Sequence, residues 1–515
     1  MTFTNGQENA IKIVGDFIAN RYQLDTNDVI TLTGPAGSGK STIVKEIIRR
    51  STIRSVAVSA PTHQAKTVIN KMTGYPGETI QSLLGLRPNI NMEDFDPTNV
   101  MFMPQGQERI SEYKLIIIDE CSMIGPYIHN LIMKLSKQYK VKILFIGDKY
   151  QLPPVEKGNV NAKISKTFTA NPQVELTEIM RQDASNPVNE LLHIAREDVI
   201  NGTDLFIPRL TKIVDTFNDK GEGYMLRKGP AFINEIVKLY KSDEAKLDPY
   251  NTKLLAFDNA TVNSVNSFLR KRINPAEDYI AVGDLIKGYS TVGKETDVPP
   301  YFQSHIRNSE DYIITSVEAK TFKICKIPIV LYECKALNCN DTLYMLHPSS
   351  KDVFEAELVR RHGNGTMFRA WREFYDFKNK ILINYEVFNN YNDKVAKKDF
   401  DYGYCQTTHK SQGSTYSKVL ILSNEIDTFG YGRDVMQLRN ELRYVAVSRA
   451  KNFVIINSEA ENKKKVSMRN EIAEEDLLDD IEFEPATEEQ AIKASLQDSI
   501  DELTANGKQR RKECE

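Results

Sequence analysis

A chain of 515 residues, 41% hydrophobic and 27% charged, has ordinary soluble composition and enough length for three or four packed domains. Its net charge of −3 is uneven: residues 461–515 hold 16 acids and 9 bases, leaving 54 acids (70 − 16) against 58 bases (67 − 9) before them, so a mildly basic body precedes an acidic tail. That balance permits a local nucleic-acid groove without demanding one. No apolar stretch approaches the roughly 20 residues of a membrane span. The first residues lack a signal-peptide pattern, and six scattered cysteines suit reduced thiols. The expectation is a cytoplasmic protein without a disulfide framework, or a nuclear one if the source is eukaryotic or a eukaryotic virus.

In chain order, the first informative element is the apolar run Asp28–Thr33, read as a buried strand leading into Gly34-Pro35-Ala36-Gly37-Ser38-Gly39-Lys40-Ser41. This is a full Walker A loop. Its glycines let backbone N–H groups turn inward around phosphates, Lys40 reaches the β/γ oxygens, and the Ser41 hydroxyl suits Mg²⁺. The helix expected over Ser41–Arg50 adds its dipole to the cradle, which extends to Thr42. ATP and Mg²⁺ are the expected ligands.

Further buried strands are expected at Ser55–Ala60, Leu115–Ile118, Val141–Ile146 and Val174–Leu176, the signature of a parallel sheet covered on both faces. The strand Leu115–Ile118 ends in Asp119-Glu120, a Walker B pair in which Asp119 holds the metal and Glu120 polarises the attacking water. The next strand runs into Gly147-Asp148-Lys149-Tyr150-Gln151, placing the Gln151 carboxamide where it senses a γ-phosphate. A second set of strands, Lys253–Phe257, Lys418–Ser423 and Phe453–Asn457, implies a second α/β layer. Residues 276–399, with the runs Tyr312–Val317 and Ile327–Tyr332, read as an inserted, mostly β domain. Residues 84–112 form a smaller insertion around Met101-Phe102-Met103. Cys325, Cys334, Cys339 and His347 lie close in sequence, but without a Cys-x-x-Cys pair they read as thiols rather than a metal site. After Ser458 the composition shifts, with eight acids and no base over Glu471–Glu484.

The order of Gln7, Gly34–Ser41, Ala60-Pro61-Thr62-His63, Thr79-Ile80-Gln81, Asp119-Glu120, Gly147–Gln151 and Leu176–Arg181 resembles the first motor half of a superfamily-one helicase. Thr408-His409-Lys410-Ser411-Gln412-Gly413 and Tyr444–Arg449 resemble its second half. Within that superfamily the pattern is similar to the Dda/RecD-like branch. The resemblance implies an α/β fold of two RecA-like domains, 1–182 and 183–275 with 400–460. It also implies a strand-separating pin at 84–112, a small-barrel DNA clamp at 276–399 and a disordered tail at 461–515.

It further implies a monomeric ATP-dependent DNA helicase moving five-prime to three-prime on single-stranded and forked DNA. Gln7 would read the adenine, Gln412 and Gly413 would line the nucleotide site, and Arg181 and Arg449 would contact the γ-phosphate. Pro61, Thr62, His63, Thr79, Gln81, Asn259, Thr408, His409 and Lys410 would hold the DNA strand. Phe102 would be the pin aromatic, a Met-Phe-Met core plug being the alternative. Asp258 departs from the neutral hydroxyl more usual before Asn259, which puts that contact in question.

The segment Glu488–Ser499 resembles a ubiquitin-interacting helix with Ala491 and Ser495 on one face. Residues 484–505 would thus recruit ubiquitin or a replication or repair protein, the plain alternative being an amphipathic helix near 486–505. Two other activities stay open: a translocase or remodeller on DNA or RNA without strand separation, and a regulatory ATPase recruited through its tail.

Overall fold

Four β-branched runs, Val29–Thr33, Val56–Ala60, Leu115–Ile118 and Lys142–Gly147, are buried along their whole length, a pattern that needs helices on both faces of a sheet. The computed structural model describes residues 3–20, 28–51, 53–75, 77–88, 102–104, 108–154, 164–169, 171–178, 185–210, 215–276, 278–295, 302–337, 339–428 and 435–457. There these runs form one parallel sheet in the order Gly77–Thr79, Val56–Ala60, Leu115–Ile118, Lys142–Gly147, Val29–Thr33, Gln173–Glu175.

Helix Asn5–Ala19 begins with a capping box in which Thr4 and Gln7 satisfy each other's backbone N–H groups. Its Ala10, Ile11, Val14 and Ile18 share a core with Ile43, Val44, Ile47 and Ile48 of helix Lys40–Arg50. The loop 34–39 is thereby fixed at the carboxyl end of an inner strand, where open α/β sheets bind ligands.

A second six-stranded sheet has the order Cys405–Thr407, Thr252–Ala256, Tyr416–Leu422, Ala450–Asn457, Gly223–Arg227, Thr216–Phe217. Its first five strands are parallel and the short last one is antiparallel. Its core takes in Leu152 from the first sheet's loop, 1% exposed, with Tyr150 packed against it.

Between the second sheet's strands lies a five-stranded antiparallel sheet ordered Leu343–Leu346, Ile327–Leu337, Asp311–Ile324, Leu285–Gly288, Phe400–Tyr402. Its edge strand Phe400–Tyr402 extends past residue 399, where the sequence reading ends the insertion. The long hairpin turns on Cys325 and Lys326, both left-handed at φ 48° and 75°, as a two-residue turn matched to strand twist requires.

Two helices, Lys351–Phe368 and Trp371–Lys378, add an α-helical layer that the mostly β reading did not contain. The first has two glycines in its last turns, which by propensity argue against a helix. Gly365 is there because a Cβ would lie 2.6 Å from the Trp371 ring, so the tight crossing of the two helices selects it. Trp371 itself is core.

Buried ion pairs join the insertion to the second sheet. Lys253 and Lys287 share Asp311 at 3.1 and 3.0 Å, and Arg270 meets Asp284 at 3.0 Å. The smaller insertion is a ribbon in which Leu86–Pro88 pairs antiparallel with Phe102–Pro104. The Phe102 side chain lies outside the described residues. So do Arg181 and all of 458–515, including the segment proposed to meet ubiquitin; the chain divides into Met1–Met468 and Arg469–Glu515. No described helix is long and apolar enough to cross a membrane.

Candidate functional site

At the carboxyl ends of the two parallel sheets lies a cavity of about 460 Å³, walled by Gln7, Lys40, Asp119 and Gln151 from one side and Gly413 and Arg449 from the other. Its floor is the loop 34–39. Gly39 sits at φ +83°, so the backbone conformation demands glycine, and a Cβ there would lie 2.7 Å from Gln7 Nε2 and displace that amide. Gln7 Nε2 donates to the Ser38 carbonyl at 3.1 Å, tying the first helix to the loop. Lys40 Nζ donates to the carbonyls of Gly34 and Pro35, both at 2.8 Å, which holds the ammonium over the loop. Pro35, Ala36, Gly37, Ser41 and Thr42 complete the turn into helix Lys40–Arg50.

Asp119 and Glu120 leave the strand Leu115–Ile118 at the cavity wall. Burial, then the neighbouring Glu120, pushes the Asp119 carboxyl up to about 7, while the Glu120 N–H and Lys40 oppose the rise. Glu120 adopts a left-handed φ of 52°, unfavourable for a side chain with a Cβ, which turns it out of the strand and beside Asp119. Gln151 is 6% exposed and its Oε1 is buried with no hydrogen-bond partner among the described residues, so it stands as an unanswered acceptor at the cavity.

From the second sheet, Arg449 is held by the carbonyls of Ser414 and Val445 and by Ser448 Oγ, at 2.7 to 3.2 Å. Gly413, at φ +77°, abuts Ala65 of the first motor half, where a Cβ would lie 2.7 Å from the alanine Cβ. Gln412 Nε2 donates to the Leu152 carbonyl at 3.4 Å.

One contact across this cleft escaped the sequence reading. Tyr444, on helix Val435–Ser448, donates its hydroxyl to Asp148 Oδ2 at 2.5 Å and accepts from the Ala36 N–H at 3.2 Å. It thus ties the second half to the phosphate loop and to the segment holding Gln151. The available signal was Tyr444's place at the head of the Tyr444–Arg449 pattern, five residues before the arginine.

The residues expected to hold nucleic acid divide into several kinds. Thr62 and Thr79 cap helices by accepting from Ala65 and Ser82 N–H at 3.1 and 3.3 Å, which leaves each hydroxyl hydrogen to donate. His63 opens helix His63–Thr73; burial, then Lys66, lowers its ring from the ordinary histidine value. Pro61 and Gln81 are half-buried beside them. Thr408 is fully buried, its hydroxyl donating to the Ala256 carbonyl at 3.2 Å, so it supports the loop rather than facing a ligand.

His409, also lowered by burial, lies 6.4 Å from the Phe257 ring. Asn259 is exposed at the start of helix Asn259–Ile273. The Asp258 carboxylate caps that helix, accepting from Thr261 N at 2.8 Å and Thr261 Oγ1 at 3.1 Å. That commitment is why an acid is tolerated beside Asn259. Lys410 lies over the Tyr289 ring at 3.7 Å.

Comparison with known proteins adds the following. A family model described as an AAA domain matches residues 18–208. The ATP-dependent DNA helicase dda of Enterobacteria phage T4 is 27% identical over 473 residues, spanning 88% of this chain and 99% of that protein. The ATP-dependent RecD2 DNA helicase of Deinococcus radiodurans is 31% identical over 164 residues, 32% of this chain and 21% of its own. A solved structure of the Pif1 helicase from Bacteroides in complex with ADP-AlF3 and ssDNA aligns with 97% of this chain and 98% of that one, at 17% identity and a TM-score of 0.44.

Proposed function

Because the chain belongs to the superfamily-one helicases of the Dda and Pif1 kind, we propose that it hydrolyses ATP to move five-prime to three-prime along single-stranded DNA and to separate forked duplex. The observation that carries this reading is the single cavity walled by both parallel sheets. Lys40, Asp119 and Glu120 stand on one wall and Arg449 on the other. A nucleotide seated there touches both motor halves, so binding and hydrolysis alter how tightly they close.

In this reading the loop N–H groups and Lys40 bind the β- and γ-phosphates, and Gln7 would pair with the adenine edge through the remaining hydrogen and lone pair of its amide. Glu120 orients the attacking water, and Gln151 offers its Oε1 as an acceptor to that water while its Nε2 can donate to the γ-phosphate. Arg449, with Arg181, balances charge on the transferred phosphoryl group. Ser41 and Asp119 would hold Mg²⁺, and the fit rests on two adjacent carboxylates whose mutual repulsion, added to burial, raises Asp119. Bound there, the ion would supply positive charge against the charge of the phosphates.

Pro61, Thr62, His63, Thr79, Gln81, Asn259, His409 and Lys410 line the path for the strand, with Thr408 supporting its loop. Phe102 sits on the ribbon proposed as the pin. The tail segment 484–505 is proposed to recruit a protein partner such as ubiquitin, supported by its Ala491 and Ser495 spacing. The site of action is cytoplasmic or nuclear.

An ATPase assay with and without single-stranded DNA and RNA, then unwinding of duplexes with opposite overhangs, tests the proposal. DNA-stimulated turnover with unwinding of the five-prime-tailed fork is expected. Stimulation without unwinding would leave only a translocase, and no stimulation would reject the motor altogether.

A further inference from the structure

Away from the cleft, one cluster carries more positive charge than its neighbours neutralise. Lys253 and Lys287, 0% and 1% exposed, share the single Asp311 carboxylate. Lys398 pairs with Asp401 at 2.5 Å, and Lys410 has no ion pair among the described residues. Among the described residues, four ammoniums therefore meet two carboxylates.

What brings Lys398 and Lys410 together is Tyr289, whose ring centroid lies 4.1 and 3.7 Å from their Nζ atoms. An aromatic face attracts cations but adds no negative charge, so an excess of two positive charges remains. Burial, then Lys287 and Lys398, pushes Lys410 down to about 8 against the pull of Asp401, the expected response of an ammonium short of anions. Such a cluster gains stability when an anion joins it.

The position of the cluster says which anion. Lys398, between strands Lys394–Ala396 and Phe400–Tyr402, donates to Asn263 Oδ1 at 2.7 Å. Asn263 is one helical turn from exposed Asn259. Lys410 follows His409, whose ring neighbours Phe257. The two lysines therefore continue the proposed strand-holding face of the second motor half onto the inserted domain.

We propose that Lys398 and Lys410, set side by side by Tyr289, form a phosphodiester site for single-stranded nucleic acid that spans the second motor half and the insertion. The site rests on the helicase reading and extends it with two residues, Tyr289 and Lys398, that no motif supplies. The lysines contact the phosphate, and Tyr289 is a positioning residue.

Binding of a fluorescein-labelled oligothymidylate by the full chain, titrated over a series of salt concentrations, tests it. Each phosphate contact on a single strand contributes about 0.7 to the slope of log affinity against log salt, so Lys398→Gln and Lys410→Gln should each flatten the slope by about that amount. Tyr289→Leu, which keeps apolar bulk but removes the ring, should weaken binding by about fivefold, on the order of one cation–π contact. Tyr289→Phe should bind like wild type. If Tyr289→Leu does not fold, the Lys398→Gln slope decides alone.

An unchanged slope in Lys398→Gln, or full affinity in folded Tyr289→Leu, overturns the site while leaving the helicase reading intact. Failure of the wild-type chain to bind the oligonucleotide or to gain ATPase from it overturns both.

Discussion

The two six-stranded sheets share a parallel plan but divide the chemistry unequally. The first ends its strands in a glycine loop, an aspartate–glutamate pair and a glutamine, all turned into the cleft. The second contributes Gly413 and a deeply held Arg449, and closes its far edge with the antiparallel strand Thr216–Phe217. On the proposed reading, one sheet binds and activates and the other responds. The lesson is that a duplicated fold need not duplicate its active site, since a ligand between two copies needs donors from one and a charge sensor from the other.

This division can be broken at its responding side first. Arg449→Ala is expected to lower ATP turnover by about a thousandfold, the low end of what a transition-state arginine contributes, with nucleotide-free DNA affinity unchanged. A variant that loses DNA binding and keeps turnover would move Arg449 out of the cleft. On the activating side, Glu120→Gln should cost at least about a hundredfold in turnover while ATP still binds, measured by steady-state hydrolysis alongside nucleotide titration. Equal hydrolysis by Glu120→Gln and wild type would remove the glutamate from its role.

The tie between the two sheets should show a smaller effect. Tyr444→Phe leaves Asp148 and the Ala36 N–H each short of a partner, and chemical denaturation is expected to register a loss of about 1–3 kcal/mol. No loss would mean that water replaces the hydroxyl without penalty. The mildest test is pH. Lys410 is lowered to about 8, below the ordinary lysine value, so it is charged at neutral pH and loses its proton as pH rises through that value. Affinity for single-stranded DNA should therefore fall between about pH 7 and pH 9, and fall less in Lys410→Gln, as fluorescence anisotropy would show.

Much of the cleft was legible because its chemistry is local in sequence. A phosphate loop must follow a buried strand and precede a helix, so Gly34–Ser41 announces both fold and ligand. Asp119-Glu120 gains its meaning from the four apolar residues before it. Tyr444 and Tyr289 were illegible for the opposite reason: the Asp148 partner of the first lies 296 residues away, and the two lysines beside the second come from separate connecting segments more than a hundred residues on. The helix Lys351–Phe368 was hidden by two glycines that local propensity counts against it, of which Gly365 is required by packing on Trp371. Thr408 shows the converse error, where a polar residue in a functional motif proves to be interior support.

The shared Asp311 bears on how well such a machine transmits displacement. With Lys253 on the second sheet and Lys287 on the insertion both anchored to one buried carboxylate, and Arg270 fixed to Asp284 nearby, relative sliding of these parts would strand a charge in a low-dielectric interior. The junction therefore resists shear. On the proposed reading, small rotations of the second half would be carried into the insertion with little internal give, and the length of a step along a polymer track would follow the geometry of closure.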